Sequence, residues 1–214
     1  SPGGGDNLFL CSILALDADT GAYAWHYQTN PGETWDYNSA MDIVLAELDW
    51  QGKQRDVILH APKNGFFYVI DRANGKLLGA EKLGEVSWAE RIDLATGRPV
   101  ETPEARFPEG FGAIIPGTLG AHNWHAMSFN PITGLVYIPY QQAAGFFDRR
   151  GVDKDWQPKA FESNSGYQPY RGDASPEGVS SALVASSKNR TRGFAANARA
   201  MHTRCFCPLD NSAG

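Results

Sequence analysis

A short turn sequence recurs along the chain between apolar segments, and this repeat constrains the fold more than any other feature. Copies of the pattern Asp/Asn-x-x-Thr/Asn-Gly lie at 17–21, 71–75 and 130–134, with a partial copy at 93–97. An Asp or Asn side chain accepts hydrogen bonds from nearby backbone amides, and glycine adopts the positive φ that a tight turn requires. Each copy therefore predicts a β-hairpin.

The segments beside these turns are apolar and have the length of β-strands. We predict strands at 8–16, 22–27, 65–70, 76–78, 124–129 and 135–139. Repeated hairpins with few helical signals indicate an all-β fold, and variable spacing between the turns favours a β-propeller. A β-sandwich also repeats hairpins and stays open as an alternative. The Pro- and Gly-rich segment 99–120 predicts a long loop of the kind that lines a propeller's central site.

The composition changes near residue 171. Residues 171–214 hold six basic and three acidic residues although the whole chain has a net charge of −5, and all six tryptophans precede residue 171. We predict an irregular tail at 173–214, with little strand content, produced by a shifted reading frame. A natural disordered tail is the alternative. A metal site formed by His202, Cys205 and Cys207 is a weaker one, because it lacks a fourth ligand at the usual spacing.

Composition also excludes several classes of protein. A net charge of −5 disfavours nucleic-acid binding, which requires basic surfaces. No apolar run is long enough for a membrane span. The first residues have neither a basic nor an apolar region, so we expect no signal peptide in this chain. Three cysteines do not make a disulfide framework, and the absence of Cys-x-x-Cys-His predicts no haem site in this chain.

Polar residues that could carry chemistry cluster in three stretches, at 31–38, 60–65 and 120–125. Each stretch lies at or just before a predicted strand, where loops enter a shared face. Asp36 between two aromatic residues could be a partly desolvated base, or a turn residue that caps backbone amides. Lys63 could bind an anionic ligand or polarise a carbonyl, or be a solvated turn residue.

The third stretch reads His-Asn-Trp-His at 122–125 and could bind a planar ligand by stacking and hydrogen bonding. Its alternative role is a strand entry with a core tryptophan at Trp124. His122 and His125 have no Cys or Glu partner at metal spacing, so we expect no zinc site.

Taken in order, these stretches resemble the PQQ-dependent (quinoprotein) methanol/ethanol dehydrogenase family. The resemblance runs nearly continuously over 1–170 and rests on Ala-Leu-Asp-Ala-Asp-Thr-Gly at 15–21, Thr-Trp-Asp-Tyr at 34–37, His-Ala-Pro-Lys-Asn-Gly at 60–65 and Gly-Ala-His-Asn-Trp-His at 120–125. Lys63 makes the chain more similar to quinoprotein and quinohaemoprotein alcohol dehydrogenases than to methanol dehydrogenases, which usually have Arg there.

The resemblance implies an eight-bladed propeller in the periplasm that holds PQQ and a metal ion on its axis. Asp36 matches the family's catalytic base and is also a possible metal ligand, while the family's other metal ligands belong to an upstream segment. Lys63 matches the side chain that hydrogen-bonds the quinone oxygens, and Asn123 and Trp124 match a stretch that contacts the cofactor. Asn38 stands where lanthanide-dependent members have a second Asp, which favours calcium over a lanthanide.

The implied function is oxidation of primary alcohols to aldehydes by base-assisted hydride transfer to PQQ. A small alcohol is the expected substrate, and a cytochrome c-type protein is the expected electron acceptor. A non-catalytic propeller scaffold and a PQQ-dependent sugar dehydrogenase are the alternatives. We expect residues 1–172 to form an incomplete propeller that is inactive by itself, because open sheet edges and an unclosed ring remain.

Overall fold

The chain folds into a succession of sheets whose strand pairs are antiparallel except for the last pair described, as the hairpin repeat predicts. The computed structural model describes residues 5–152, 155 and 157, together with the backbone of three strands at 167–168, 181–186 and 204–206. These residues contain two short 3₁₀ helices and no α-helix. No helix in this described part is long and apolar enough to cross a membrane. The all-β prediction is confirmed, and the sheets form a partial β-propeller.

The described residues form fifteen strands in five sheets. The first sheet pairs β1 (Ser12–Leu16) with β2 (Tyr23–Gln28). The second has four strands in chain order, β3 (Ile43–Trp50), β4 (Lys53–His60), β5 (Phe66–Asp71) and β6 (Leu77–Lys82). The third pairs β7 (Ala89–Ile92) with β8 (Pro99–Glu101).

The last two sheets contain strands that are distant in sequence. One has the order β13-β12-β9 and the other the order β10-β11-β14-β15. Their bounds are β9 (Phe111–Ile114), β10 (Ser128–Asn130), β11 (Leu135–Tyr140), β12 (Gly145–Asp148), β13 (Tyr167–Gln168), β14 (Ser181–Ser186) and β15 (Arg204–Phe206). The 3₁₀ helices are η1 (Pro103–Arg106) and η2 (Arg149–Gly151).

Within the second sheet, β5 and the end of β4 are buried on both faces and organise the core. All six residues of β5 are buried, and successive side chains point to opposite faces. Phe67 and Val69 pack in one cluster with Val136 and Ile138 of β11. Phe66, Tyr68 and Ile70 pack in a second cluster with Trp35, Tyr37 and Trp88. The second cluster lies beneath the loop that carries Asp36.

The four turns of the repeat have the same hydrogen-bonding scheme. The glycine amide donates to the carbonyl of the first residue at 2.7–2.8 Å, and the four glycines have φ between 69° and 72°. The first side chain accepts amide hydrogen bonds inside each turn. Hydrogen bonds from Thr20 and Thr96 lower the pKa of Asp17 and Asp93. The partial copy at 93–97 is therefore a full turn, which joins β7 to β8.

Three strand and loop predictions need correction. The strand predicted at 8–16 begins only at Ser12, because Asn7 and Cys11 have left-handed φ values of 53° and 48°. The strand predicted at 124–129 is reduced to β10, since Trp124 lies in an exposed bend. The predicted loop 99–120 contains β8, η1 and β9.

The tail prediction is only partly within the described residues. In 173–214 the structure gives the backbone of β14, which pairs with the whole length of β11, and of β15 beside it. These two strands cover nine residues of the tail. The rest of the tail, including His202 and Cys207, lies outside the described residues. The shifted reading frame stays a prediction.

Candidate functional site

Asp36 lies in the loop between β2 and β3, in a left-handed backbone conformation. Its φ is 64°, and Asp is one of the few residue types that adopt this conformation readily. The flanking Trp35 and Tyr37 are fully buried, whereas the side chain of Asp36 is 64% exposed. The backbone thus turns two aromatic rings inward and presents one carboxylate at the surface.

Hydrogen bonds and ring contacts fix the two aromatic residues. The Trp35 indole donates to the carbonyl of Ala105 at 3.1 Å, and the Tyr37 hydroxyl donates to the carbonyl of Pro116 at 2.6 Å. The rings of Trp35 and Tyr37 stack with centroids 5.5 Å apart, and Trp88 packs against both. Burial raises the pKa of Tyr37, so its hydroxyl stays a donor. The position of Asp36 is therefore set from both sides.

The Glu33 side chain stabilises the same loop by hydrogen bonds to its backbone. Its carboxylate accepts hydrogen bonds from the amides of Trp35 at 2.7 Å, Asp36 at 3.1 Å and Tyr37 at 3.1 Å. Charge-assisted bonds of this kind are stronger than neutral ones. Our sequence interpretation missed this role. The available signal was an acidic residue three positions before Asp36, within reach of the local amides.

Lys63, in the loop between β4 and β5, lies beside Asp36. Its side chain is only 7% exposed. The ammonium group donates to the Asp36 carbonyl at 3.0 Å and lies 3.4 Å from the carboxylate oxygen Oδ2. A buried ammonium group requires such partners, because the loss of hydration is otherwise very unfavourable. Lys63 is thus not a solvated turn residue, and the structure brings two of the predicted site residues together.

The third stretch adjoins Lys63 through its backbone. Gly120 has φ +78° and packs directly on Lys63, and the amide of Ala121 donates to the Lys63 carbonyl at 3.0 Å. The side-chain nitrogen Nδ2 of Asn123 donates to the carbonyl of Leu119 at 2.9 Å. The side chain of Trp124 is not in the core, since this residue is 87% exposed. The side chains of Asn123 and Trp124 make no hydrogen bond to Asp36 or Lys63.

A buried hydroxyl–imidazole pair follows the Asp36 loop and was also missed. Ser39 Oγ lies 2.9 Å from His60 Nε2, and His60 Nδ1 lies 3.1 Å from the carbonyl of Asp42. Thr29 donates to Ser39 at 3.1 Å. Burial lowers the pKa of His60 to about 4. A neutral imidazole that donates through Nδ1 and accepts from Ser39 satisfies both contacts.

Lys63, Asn123 and Trp124 carry groups that could contact a planar ligand with oxygen atoms. Asn123 has a buried oxygen, Oδ1, without a hydrogen-bond partner. A buried polar atom left unpaired is unfavourable, and this one lies on the stretch that packs against Lys63. Lys63 supplies a positive donor, and Trp124 supplies an exposed aromatic face. These three residues could therefore hold a cofactor through a donor, a polar amide and a stacking surface.

The same residues provide only part of a metal site. Within the described part of the chain, no group of three or more His, Cys, Asp and Glu side chains is placed to hold a metal ion. Calcium takes six to eight oxygen ligands. Asp36 could therefore act as one ligand among others supplied from outside the described residues.

The chain is similar to known proteins over most of its length. Residues 3–83 match the PQQ family model described as "Glucose/ethanol/alcohol dehydrogenase, beta-propeller domain". The quinohemoprotein alcohol dehydrogenase ADH IIB of Pseudomonas putida is 58% identical over 167 residues, which are 78% of this chain and 24% of that protein. The quinohemoprotein alcohol dehydrogenase of Comamonas testosteroni is 52% identical over 158 residues, or 73% of this chain and 22% of that protein.

This chain belongs to the PQQ-dependent alcohol dehydrogenase family.

Solved structures of the family have the same fold. The C. testosteroni enzyme superposes with a TM-score of 0.68 at 52% identity, over 73% of this chain and 23% of that one. A europium-containing methanol dehydrogenase superposes with a TM-score of 0.67 at 31% identity, over 86% of this chain and 29% of that one. The chain thus spans about a quarter of the length of the family members that it matches.

Proposed function

We propose that a full-length protein containing this segment is a PQQ-dependent dehydrogenase that oxidises primary alcohols to aldehydes. The observation that carries the proposal is the Asp36–Lys63 pair, in which an exposed carboxylate lies 3.4 Å from a buried ammonium group. The names of the relatives support it, because they are alcohol dehydrogenases that cover most of this chain.

Asp36 is the proposed general base. An ionised carboxylate has only acceptor sites, so it can take the hydroxyl proton of an alcohol. Its exposure of 64% leaves an oxygen accessible to a substrate. The loop holds the carboxylate in place through Glu33 and through the buried rings of Trp35 and Tyr37. Such positioning is a large part of general-base catalysis.

Lys63, Asn123 and Trp124 are the proposed cofactor-binding residues. Lys63 would donate to the quinone oxygens, Asn123 Oδ1 would gain the partner that it lacks, and Trp124 would lose its exposure against the planar group. When bound, PQQ supplies a quinone that accepts the hydride from the alcohol carbon. The positive charge of Lys63 also attracts the Asp36 carboxylate and so orients it.

Calcium is the proposed metal ion, with Asp36 as one of its ligands. Asn38 is a neutral residue two positions after Asp36, and it is exposed. A trivalent ion favours an additional carboxylate, which Asn38 does not provide. We therefore propose calcium rather than a lanthanide.

The proposal extends to the substrate, the electron acceptor and the cellular location of the enzyme. A relative from Thauera butanivorans, 48% identical over 156 residues, is named 1-butanol dehydrogenase (cytochrome c). This name supports a small alcohol as substrate and a cytochrome c-type protein as electron acceptor. We further propose a periplasmic location. A sugar dehydrogenase or a scaffold is less well supported, because the Asp36–Lys63 pair is present and the relatives are alcohol dehydrogenases.

Substitution of Asp36 by Asn tests the proposal. Asn also adopts left-handed φ values and keeps an oxygen for Lys63, so the loop conformation should be retained. We expect turnover of a primary alcohol to fall about 10²–10⁴-fold with PQQ and calcium present, while bound PQQ stays near the wild-type amount. The exposed Asp49→Asn is the matched control and should keep wild-type turnover. Wild-type turnover by Asp36→Asn would exclude Asp36 as the base.

A further inference from the structure

Arg106 connects a distant part of the chain to the loop that carries Asp36. It is the last residue of η1, and its guanidinium group donates to the carbonyl of Gly32 at 2.6 Å, to the Thr34 hydroxyl at 3.1 Å and to the carbonyl of Pro31 at 3.3 Å. These partners are 72 to 75 residues away in sequence. One side chain thus contacts three of the residues that lead into Trp35 and Asp36.

Glu101 fixes the direction of this guanidinium group. Arg106 Nε donates to Glu101 Oε2 at 2.8 Å, and a second nitrogen donates to Oε1 at 2.5 Å. The guanidinium carbon also lies 4.3 Å from the centroid of the Trp35 ring. A planar group with donors in a fixed fork can make all these contacts together, whereas the single ammonium of lysine cannot.

We propose that Arg106, oriented by Glu101, is a positioning residue for the Asp36 carboxylate. The inference rests on the proposed role of Asp36 as the base. Without the guanidinium group, the carbonyls of Pro31 and Gly32 lose their donor and Trp35 loses its cation–π contact. The loop is then free to shift relative to Lys63. A displacement of about 1 Å at a reacting group lowers the rate up to about 10²-fold.

The surroundings of Arg106 permit a chemical rescue experiment. A cavity of about 470 Å³ is lined by Gly32, Thr34, Glu101 and Arg106, among other residues, but not by Asp36 or Lys63. Removal of the Arg106 side chain would enlarge this cavity beside its former partners. Added guanidinium ion can therefore reach the carbonyl of Gly32 and the Glu101 carboxylate without entering the site of Asp36.

The test uses Arg106→Ala in the full-length holoenzyme. We expect kcat to fall about 10- to 100-fold with KM for the alcohol within about threefold of wild type, and millimolar guanidinium to restore at least a tenth of the lost rate. In the cofactor-free protein, the backbone amides of 32–37 should exchange with deuterium at least tenfold faster. Arg106→Lys should fold and lose about tenfold in kcat, which keeps the test decisive if Arg106→Ala does not fold.

Arg72→Ala is the matched control. Arg72 forms an ion pair with Asp56 at 2.9 Å, and its side chain is about as exposed as that of Arg106. Arg72 makes no hydrogen bond or ion pair with residues 31–37. It should change neither kcat nor the exchange of those amides, and guanidinium should have no effect. A kcat for Arg106→Ala within twofold of wild type, or unchanged amide exchange in 32–37, would overturn the positioning role. Asp36→Asn measured in parallel separates the two ideas, since its normal turnover would instead refute the proposed base.

Discussion

Gly120 offers a sharp test of how Lys63 is held, because the contact depends on the absence of a side chain. A Cβ at position 120 would lie 2.5 Å from Cβ and Cγ of Lys63 and 2.6 Å from its Cα. The last of these atoms is backbone, so rotation of the Lys63 side chain cannot relieve the overlap. The segment 62–64 or the segment 119–121 must move, and the ammonium group of Lys63 then moves away from Asp36.

The destabilisation expected for Gly120→Ala has two parts, one from the backbone conformation and one from overpacking. Gly120 has φ +78°, where an alanine is disfavoured by about 1–2 kcal/mol. Overpacking against Lys63 adds about 1–3 kcal/mol. Gly21 has φ +71°, and a Cβ added there would have no atom within 4 Å, so Gly21→Ala should show the conformational part alone. We expect destabilisation of about 1–2 kcal/mol for Gly21→Ala and about 2–5 kcal/mol for Gly120→Ala.

Urea unfolding of the full-length protein and its kcat measure the two consequences. Gly120→Ala should lower the unfolding midpoint more than Gly21→Ala, and it alone should lower kcat, by about tenfold or more, because Lys63 is displaced. If the two variants unfold at the same midpoint and both keep wild-type kcat, Gly120 does not hold Lys63 in place.

Two further predictions concern His60 and Trp124. Burial lowers the pKa of His60 to about 4 from 6.5, so between these pH values the unfolded state binds a proton that the folded state does not. The free energy of unfolding should therefore fall by about 3 kcal/mol as the pH is lowered from 6.5 to 4. His60→Gln should flatten this pH dependence, whereas the control His26→Gln, at a partly exposed position, should not. An unchanged pH dependence in His60→Gln would contradict this assignment. Trp124→Ala should change the free energy of unfolding by less than about 0.5 kcal/mol, because the residue is 87% exposed, and raise the Kd for PQQ about tenfold; a wild-type Kd would remove Trp124 from the cofactor site.

Local patterns predicted the hairpins well but not every strand. The turn at 93–97 follows from its own side chains, since Asp93 caps the amide of Thr96 whatever surrounds it. The hairpin between β3 and β4 was missed. Its turn is Gln51-Gly52, with φ values of 53° and 73°, and lacks the Asp/Asn-x-x-Thr/Asn-Gly pattern. This two-residue turn depends on left-handed backbone and not on a capping side chain.

Only part of the candidate site was predicted, because only some of its residues belong to sequence motifs that can be recognised. Asp36 and Lys63 were identified through the family resemblance, and the structure brings them into contact. Trp124 was open to two interpretations, and its exposure excludes the core role. Glu33 and Arg106 were missed. Their side chains act on backbone atoms, and sequence spacing does not reveal which backbone atoms a side chain will reach.

The sequence by itself determined the all-β class, the turns and the family, since each depends on local residue preferences or on an ordered set of motifs. Only the tertiary structure decided which distant groups meet. Arg106 reaches Gly32 over 74 residues, Tyr37 reaches Pro116 over 79, and Gly120 packs on Lys63. These contacts arise because the apolar clusters on the two sides of β5 pack distant segments of the chain together. Backbone conformation and packing, rather than the motif alone, hold the Asp36 carboxylate at the surface beside the buried Lys63 ammonium.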